Sequence, residues 1–212
     1  MLFFEIQTNQ KKLSDVWFTF AVMKIIFASQ NPNKLREIQS QLSNYEVLGL
    51  DPTLFPEELN ETGSTLDANA RQKAEQVWEK TQESCFADDT GLEAEALNGA
   101  PGVYSARYAG AQKSAEDNMN LLLLNLSEKN NRKARFRTCI SLCLNGIFYE
   151  FEGVCEGEIT LQKSGEKGFG YDPIFLPKGS NKTFAEMSLA EKAIISHRGL
   201  AVAQLVNFLK SY

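Results

Sequence analysis

MKIIFASQNPNKLREIQSQL, residues 23–42, decides the fold class. It opens on a short apolar run of strand type, MKIIFAS, and passes directly into NPNKLREIQSQL. Asn31 is a good N-cap, because its side-chain oxygen accepts from the free N–H groups of a first helical turn, and Pro32 stands where a missing N–H costs nothing. Leu35, Ile38 and Leu42 then mark one helical face. A strand that feeds a helix in this way is a strand–loop–helix unit. Whatever it binds sits at the strand's C-terminal end, against the helix N-terminus.

Working outward, residues 51–64 are polar and contain proline, and STLDANARQKAEQVWEKT follows with Leu66, Ala70, Ala74 and Val77 at helical spacing. SCFA (84–87) reads as a second short strand, with Asp88 and Asp89 expected at its exit. Gly91, Gly99, Pro101, Gly102 and Gly110 make most of 91–113 a loop, and residues 114–126 read as a helix with Ser114 and Asp117 spaced as a capping box. The texture then changes. ARFRTCISLCL alternates with period two, Asn145-Gly146 follows, and IFYEFEGVCEGEI continues, which is a strong hairpin signal. From a capping box at Ser188 and Glu191 onward, AIISHRGLAVAQLVNFLKSY reads as helix. With βα units first and a hairpin later, the expected class is α/β with a mixed sheet.

The 212 residues suit one domain over 23–212, and residues 1–22 are expected to be a dispensable extension, an upstream start-site choice without chemistry of its own. They hold no apolar run long enough for a membrane span, and two lysines interrupt any signal-peptide core. A formal net charge of -5 argues against a broad grip on nucleic acid. The four cysteines show no C-x-x-C pair and no zinc spacing, so they read as small half-buried hydrophobes in a reducing compartment, the cytoplasm.

Four stretches can carry chemistry. Ser29, Gln30, Asn31, Pro32, Asn33 and Lys34 surround a helix N-terminus, which attracts anions, and a lysine in that first turn is unfavourable unless an anion is near. The alternative is a solvated lysine beside a capped helix. Glu61, Asp88 and Asp89 form an acidic set of the oxygen-only kind that suits Mg²⁺, whose shell is completed by water and phosphate. The alternative there is a turn or a cap. In GEKGFGYDPIF (165–175), Phe169 and Tyr171 either stack on a base or pack into the core. Lys192, His197 and Arg198 bring three donors onto one short helix, suited to a carbonyl and a phosphate chain; a lone histidine is otherwise structural.

Together these stretches resemble the inosine triphosphate pyrophosphatase family. The pieces are FASQNPNKLREI, ETGSTLDANARQKAE, FADDTGLEAEALNGAPGVYSARYAG, GFGYDPIF and AEKAIISHRG, in the family's order across residues 23–205. The resemblance implies hydrolysis of non-standard purine nucleoside triphosphates (ITP, dITP, XTP) to the monophosphate and pyrophosphate, with Mg²⁺. It implies an elongated mixed sheet flanked by helices, two lobes around a central nucleotide cleft, and a homodimer. Carried over by position, Ser29 to Lys34 contact the triphosphate, Glu61 and Asp89 bind Mg²⁺, and Asp89 is also the general base. Thr90, Phe169, Gly170, Tyr171, Asp172 and Lys192 contact the nucleotide, while His197 and Arg198 face the 6-oxo base. Asn69 and Lys73, one helical turn apart, are further cleft residues. Asp88 supports the loop or a second metal. Gln30 and Asn33 stand where the family often has glycine, and Thr90 where serine is commoner. Two rivals stay open: a Maf-type nucleotide pyrophosphatase with another base choice, against which the GFGYDP and SHRG blocks speak, and a catalytically silent nucleotide-binding protein.

Overall fold

Residues 24–41 fold as their sequence requires. In the computed structural model, which describes residues 23–212, β1 (Lys24–Phe27) runs into α1 (Pro32–Gln41). Asn31 caps the helix by accepting from the Asn33 and Lys34 amides, and Ile38 and Leu42 face the core. The expectation for residues 1–22 lies outside the described residues. β2 (Glu46–Leu48) returns parallel to β1, and α2 (Leu66–Thr81) leads to β3 (Cys85–Ala94), also parallel to β1. β4 (Pro101–Gly102) pairs with β3. After α3 (Ala115–Asn125) the chain forms the hairpin of β5 (Lys133–Leu144) and β6 (Ile147–Ile159), then β7 (Phe175–Pro177). The hairpin turns at Asn145 and Gly146 with φ of 50° and 80°, the left-handed pair that an Asn-Gly turn supplies. Two helices close the chain, α4 (Leu189–Ile195) and α5 (His197–Ser211).

The strands make one seven-stranded mixed sheet in the order β2-β1-β3-β5-β6-β7, with β4 beside β3. Parallel pairing at the βα end and antiparallel pairing at the hairpin end meet at β3, which pairs with β5 along its whole length. Two apolar clusters occupy the two ends. One joins Phe27, Phe86, Ile140 and Leu142 to α1 and α5; the other joins Leu92, Phe136, Phe175 and Phe184 to α3. All four cysteines are free and buried in strands, and burial pushes the Cys85 thiol up to about 12 and that of Cys155 to about 11. Such thiols are inert packing.

Two local expectations are corrected. The strand expected to stop at Ala87 continues to Ala94, so Asp88 and Asp89 lie inside it, opposite Ile140 and Cys139 of β5. Local propensity disfavours aspartate there, but tertiary counterions override it. The C-terminal helix is interrupted at Ser196, which ends α4 and caps α5 by accepting from the Gly199 amide. Lys192 therefore sits on α4, while His197 and Arg198 open α5, so the three donors do not share one helix.

The first turn of α5 lies directly against β6 at Gly153. A Cβ at this position would meet the His197 carbonyl oxygen at 2.0 Å and the Ala201 amide at 2.5 Å. Both are backbone, so α5 itself has to retreat. Gly153→Ala is expected to destabilise the fold by about 2 kcal/mol or more, read as a lower midpoint in urea unfolding with an unchanged slope. An unchanged midpoint would show that α5 is not held at this contact.

Candidate active site

Side chains alternate across a strand, so Asp88 and Asp89 leave β3 on opposite faces. Asp88 points toward α1 and α5. Its Oδ1 accepts from Lys34 Nζ at 3.0 Å and its Oδ2 from Arg198 Nε at 3.0 Å. Arg198 continues to Glu37 Oε2 (2.5 Å) and Thr90 Oγ1 (3.1 Å), and Thr90 meets Thr138 at 2.7 Å. Lys192 Nζ donates to Glu37 Oε1 (2.8 Å) and Asp172 Oδ2 (2.6 Å), and Asp172 Oδ2 also accepts from the Phe169 amide (2.8 Å). Burial alone would raise the Asp88 carboxyl, but Lys34, Arg198 and Lys73 hold it well below the usual carboxylate range. The anion that the first-turn lysine needs is therefore Asp88. With Lys34 and Arg198 on its two oxygens, Asp88 is the counterion that joins α1 to α5.

Asp89 points the other way, toward α2. Its Oδ2 accepts from Asn69 Nδ2 (3.1 Å), and its Oδ1 lies 3.8 Å from Lys73 Nζ. Lys73 Nζ also donates to Glu61 Oε1 (2.5 Å) and to the Asp88 carbonyl (2.7 Å). Glu61 and Asp89 thus share one cationic group. Burial raises the Asp89 carboxyl above its ordinary value, with Glu61 adding to the rise and Lys73 and Lys34 opposing it. Burial would lower Lys73, yet Asp89, Glu61 and Asp88 outweigh it and hold the ammonium more firmly protonated. Among the described residues no three or more Asp, Glu, His or Cys side chains converge into a site that could hold a metal. Two carboxylates around one point are what a small hard cation takes when substrate phosphates and water complete its shell, so the donor set fits Mg²⁺.

Both faces open into one cleft of about 550 Å³, an ordinary size for a small-ligand site. Ser29 to Lys34, Glu61, Lys73, Asp89, Thr90, Phe169, Gly170, Tyr171, Asp172, Lys192, His197 and Arg198 all line it, whereas Asp88 and Asn69, also expected at the site, lie behind its wall. The lining residues are not equally available. Gln30 turns its amide onto the Phe55 and Glu57 carbonyls (3.1 and 2.8 Å) and braces the cleft wall. Tyr171 is buried with its hydroxyl on the Ser105 carbonyl (2.9 Å), whereas Phe169 lies within 5.0 Å of Lys192 Nζ and 5.6 Å of the Arg198 guanidinium. His197 stacks on Phe136 with ring centroids 4.4 Å apart, and among the described residues its Nδ1 has no hydrogen-bond partner. An unpaired buried polar atom costs about 1–3 kcal/mol, which a ligand in the cleft can relieve.

Sequence reading missed Glu37, the buried carboxylate that joins Lys192 to Arg198. Its signal was faint: it sits three residues after Lys34 and beside Ile38, on the inward side of α1. The Glu58–Lys113 ion pair at the cleft mouth was missed as well, because it joins residues far apart in sequence.

A model of the Ham1 family matches residues 25–208. The chain is 53% identical over 188 residues to a dITP/XTP pyrophosphatase of Christiangramia forsetii, covering 88% of this chain and 99% of that protein. It is 42% identical to a dITP/XTP pyrophosphatase of Staphylococcus epidermidis, covering 88% and 96%. Among solved structures, the Staphylococcus aureus Ham1 protein superposes with a TM-score of 0.80 at 42% identity, over 89% of this chain and 98% of that one. A HAM1 protein from Coxiella burnetii gives 0.81 at 39%, over 90% and 100%.

His197 is the only histidine in the sequence, which makes its titration readable. Burial, with Arg198 and Lys192 nearby, holds its pKa well below the ordinary value. The folded chain keeps it neutral, while the unfolded chain takes up a proton below about pH 6.5. The contribution of His197 to stability is therefore flat above that pH and falls on acidification, by about 1.4 kcal/mol per pH unit once the unfolded imidazole is protonated. Unfolding in urea between pH 8 and 5.5 is expected to show this fall in the wild type and not in His197→Gln. A histidine NMR signal that titrates near pH 6.5 in the folded protein would contradict it.

Proposed function

The chain belongs to the Ham1 family, and from that premise we propose that it hydrolyses non-standard purine nucleoside triphosphates, dITP, ITP and XTP, to the monophosphate and pyrophosphate. The observation that carries the reading is the meeting of Glu61 and Asp89 on one cationic position, in the same cleft as the α1 N-terminus and His197–Arg198. Relatives over nearly the whole chain bear the corresponding name.

The chemistry to be served is water attack at the α-phosphorus with pyrophosphate leaving. Glu61 and Asp89 would hold Mg²⁺, which supplies charge neutralisation on the phosphate oxygens when bound. Asp89 orients the attacking water and takes its proton. Lys34 and Lys192 provide positive charge along the cleft, and the α1 N-terminus faces the phosphates with its dipole. At the other end, His197 and Arg198 face the base. A site that donates hydrogen bonds to a 6-oxo group meets adenine's 6-amino group donor against donor, and mismatches of that kind give discrimination on the order of 10⁴.

The same family membership leads us to expect a homodimer in the cytoplasm. Among the described residues no helix is long and apolar enough to cross a membrane.

Pyrophosphate release from dITP, XTP, ATP, GTP and dTTP, each with and without Mg²⁺, tests the reading. Release from dITP and XTP that requires Mg²⁺, with ATP and GTP slow, is the expected result, and Asp89→Asn should lower kcat by about 100-fold or more. Preference for dTTP would move the protein to a Maf-like activity. Binding of dITP without turnover would make it a silent binder, and near-normal turnover by Asp89→Asn would remove that residue as the base.

A further inference from the structure

Glu61 and Asp89 reach the cleft from two separate segments, the loop before α2 and the middle of β3, and neither segment alone sets the distance between them. α2 does. Asn69 and Lys73 stand four residues apart on its buried face, 1% and 5% exposed, and each bridges the same two segments. Lys73 joins Glu61 to the Asp88 carbonyl. Asn69 accepts from the Gly63 amide with Oδ1 at 2.8 Å and donates to Asp89 Oδ2 with Nδ2 at 3.1 Å.

The Asn69 amide fits in one sense only. Turned over, its oxygen would face a carboxylate oxygen and its NH₂ would face the Gly63 N–H. The other oxygen of Asp89 accepts from the Thr90 amide at 3.0 Å, so two donors fix the plane of this carboxylate. Gly63 lets the loop close down on Asn69, since a Cβ there would meet Ala68 Cβ and Asn69 Oδ1, each at 2.8 Å. Asn69 itself does not line the cleft, whereas Glu61, Lys73 and Asp89 do.

We propose that Asn69 is a positioning residue of the reaction: through the Gly63 amide and Asp89 Oδ2 it fixes the span between the Glu61 and Asp89 carboxylates, on which metal affinity and water alignment depend. This rests on the reading of Glu61 and Asp89 given above. A side chain that only filled space would be replaceable by leucine without effect on metal binding. A side chain that touched the nucleotide would act on KM. Asn69 acts on neither volume nor nucleotide contact, so its loss falls on kcat and on the metal.

The test compares wild type, Asn69→Leu, Asn69→Asp and Gly63→Ala. Asn69→Asp keeps the volume and the bond from Gly63 but sets a carboxylate against Asp89; Gly63→Ala pushes Asn69 aside without altering it. The readouts are kcat and KM for dITP, and the affinity for Mn²⁺, followed by its paramagnetic resonance signal, with a non-hydrolysable α,β-imido analogue of dITP bound. Circular dichroism checks folding. All three variants should lose about 10–100-fold in kcat and about 10-fold or more in Mn²⁺ affinity, with KM within about 3-fold, as outer partners of metal ligands do. Wild-type kcat and Mn²⁺ affinity in Asn69→Leu or Asn69→Asp would overturn the proposal, as would a raised KM at unchanged kcat. Should the wild type release no pyrophosphate, the proposed function fails instead, and the Mn²⁺ comparison still decides the role of Asn69.

Discussion

Period-two alternation along a buried strand is the constraint on which this molecule depends. Two adjacent carboxylates in the interior of β3 repel each other if they share a face, but a strand cannot place neighbours on one face. Asp88 therefore belongs to the α1/α5 side and Asp89 to the α2 side. That division separates a carboxylate held between two cations from one that lines the cleft. Asp88, with no exposed surface, is met by Lys34 and Arg198 and serves as their counterion. Asp89 keeps weaker partners, the Asn69 side-chain amide, the Thr90 backbone amide and an ammonium at 3.8 Å, and holds a raised pKa.

Buried charge is expensive unless every group is paired, and removing one partner leaves the others exposed to the same cost. The network on the Asp88 side meets this condition with five charged residues besides Asp88: Lys34, Glu37, Asp172, Lys192 and Arg198. They come from α1, the 165–175 segment, α4 and the start of α5. The same bonds that neutralise the charges thus hold the α1 end of the cleft in register with its α5 end. The glycine at position 153 allows this, because α5 has to approach β6 at backbone contact for Arg198 to reach Asp88.

Much of the architecture was legible in short windows. Asn31-Pro32 marked the start of α1 and Asn145-Gly146 the hairpin turn, because capping and turn chemistry are local and need no tertiary partner. Where reading by window failed, the deciding force came from elsewhere in the chain. The strand after Ser84 was cut short at the aspartates, since nothing nearby in sequence neutralises them. The break at Ser196 was passed over because the capping box at Ser188 and the apolar run after it fit one longer helix equally well. Glu37 was invisible for the same reason as Glu58: its partners lie more than a hundred residues away, as that of Glu58 lies 55 residues on, beyond α2, β3 and β4.

The sequence by itself determined the α/β class, the mixed sheet, the family resemblance and many of the residues that line the cleft, because these follow from periodicity, caps, turns and motif blocks. Only the tertiary structure decided which carboxylate is locked between two cations and which lines the cleft. Asp88 and Asp89 are the same residue type at adjacent positions, and what distinguishes them is the pair of guanidinium and ammonium groups that α1 and α5 bring to one face of β3 and not to the other.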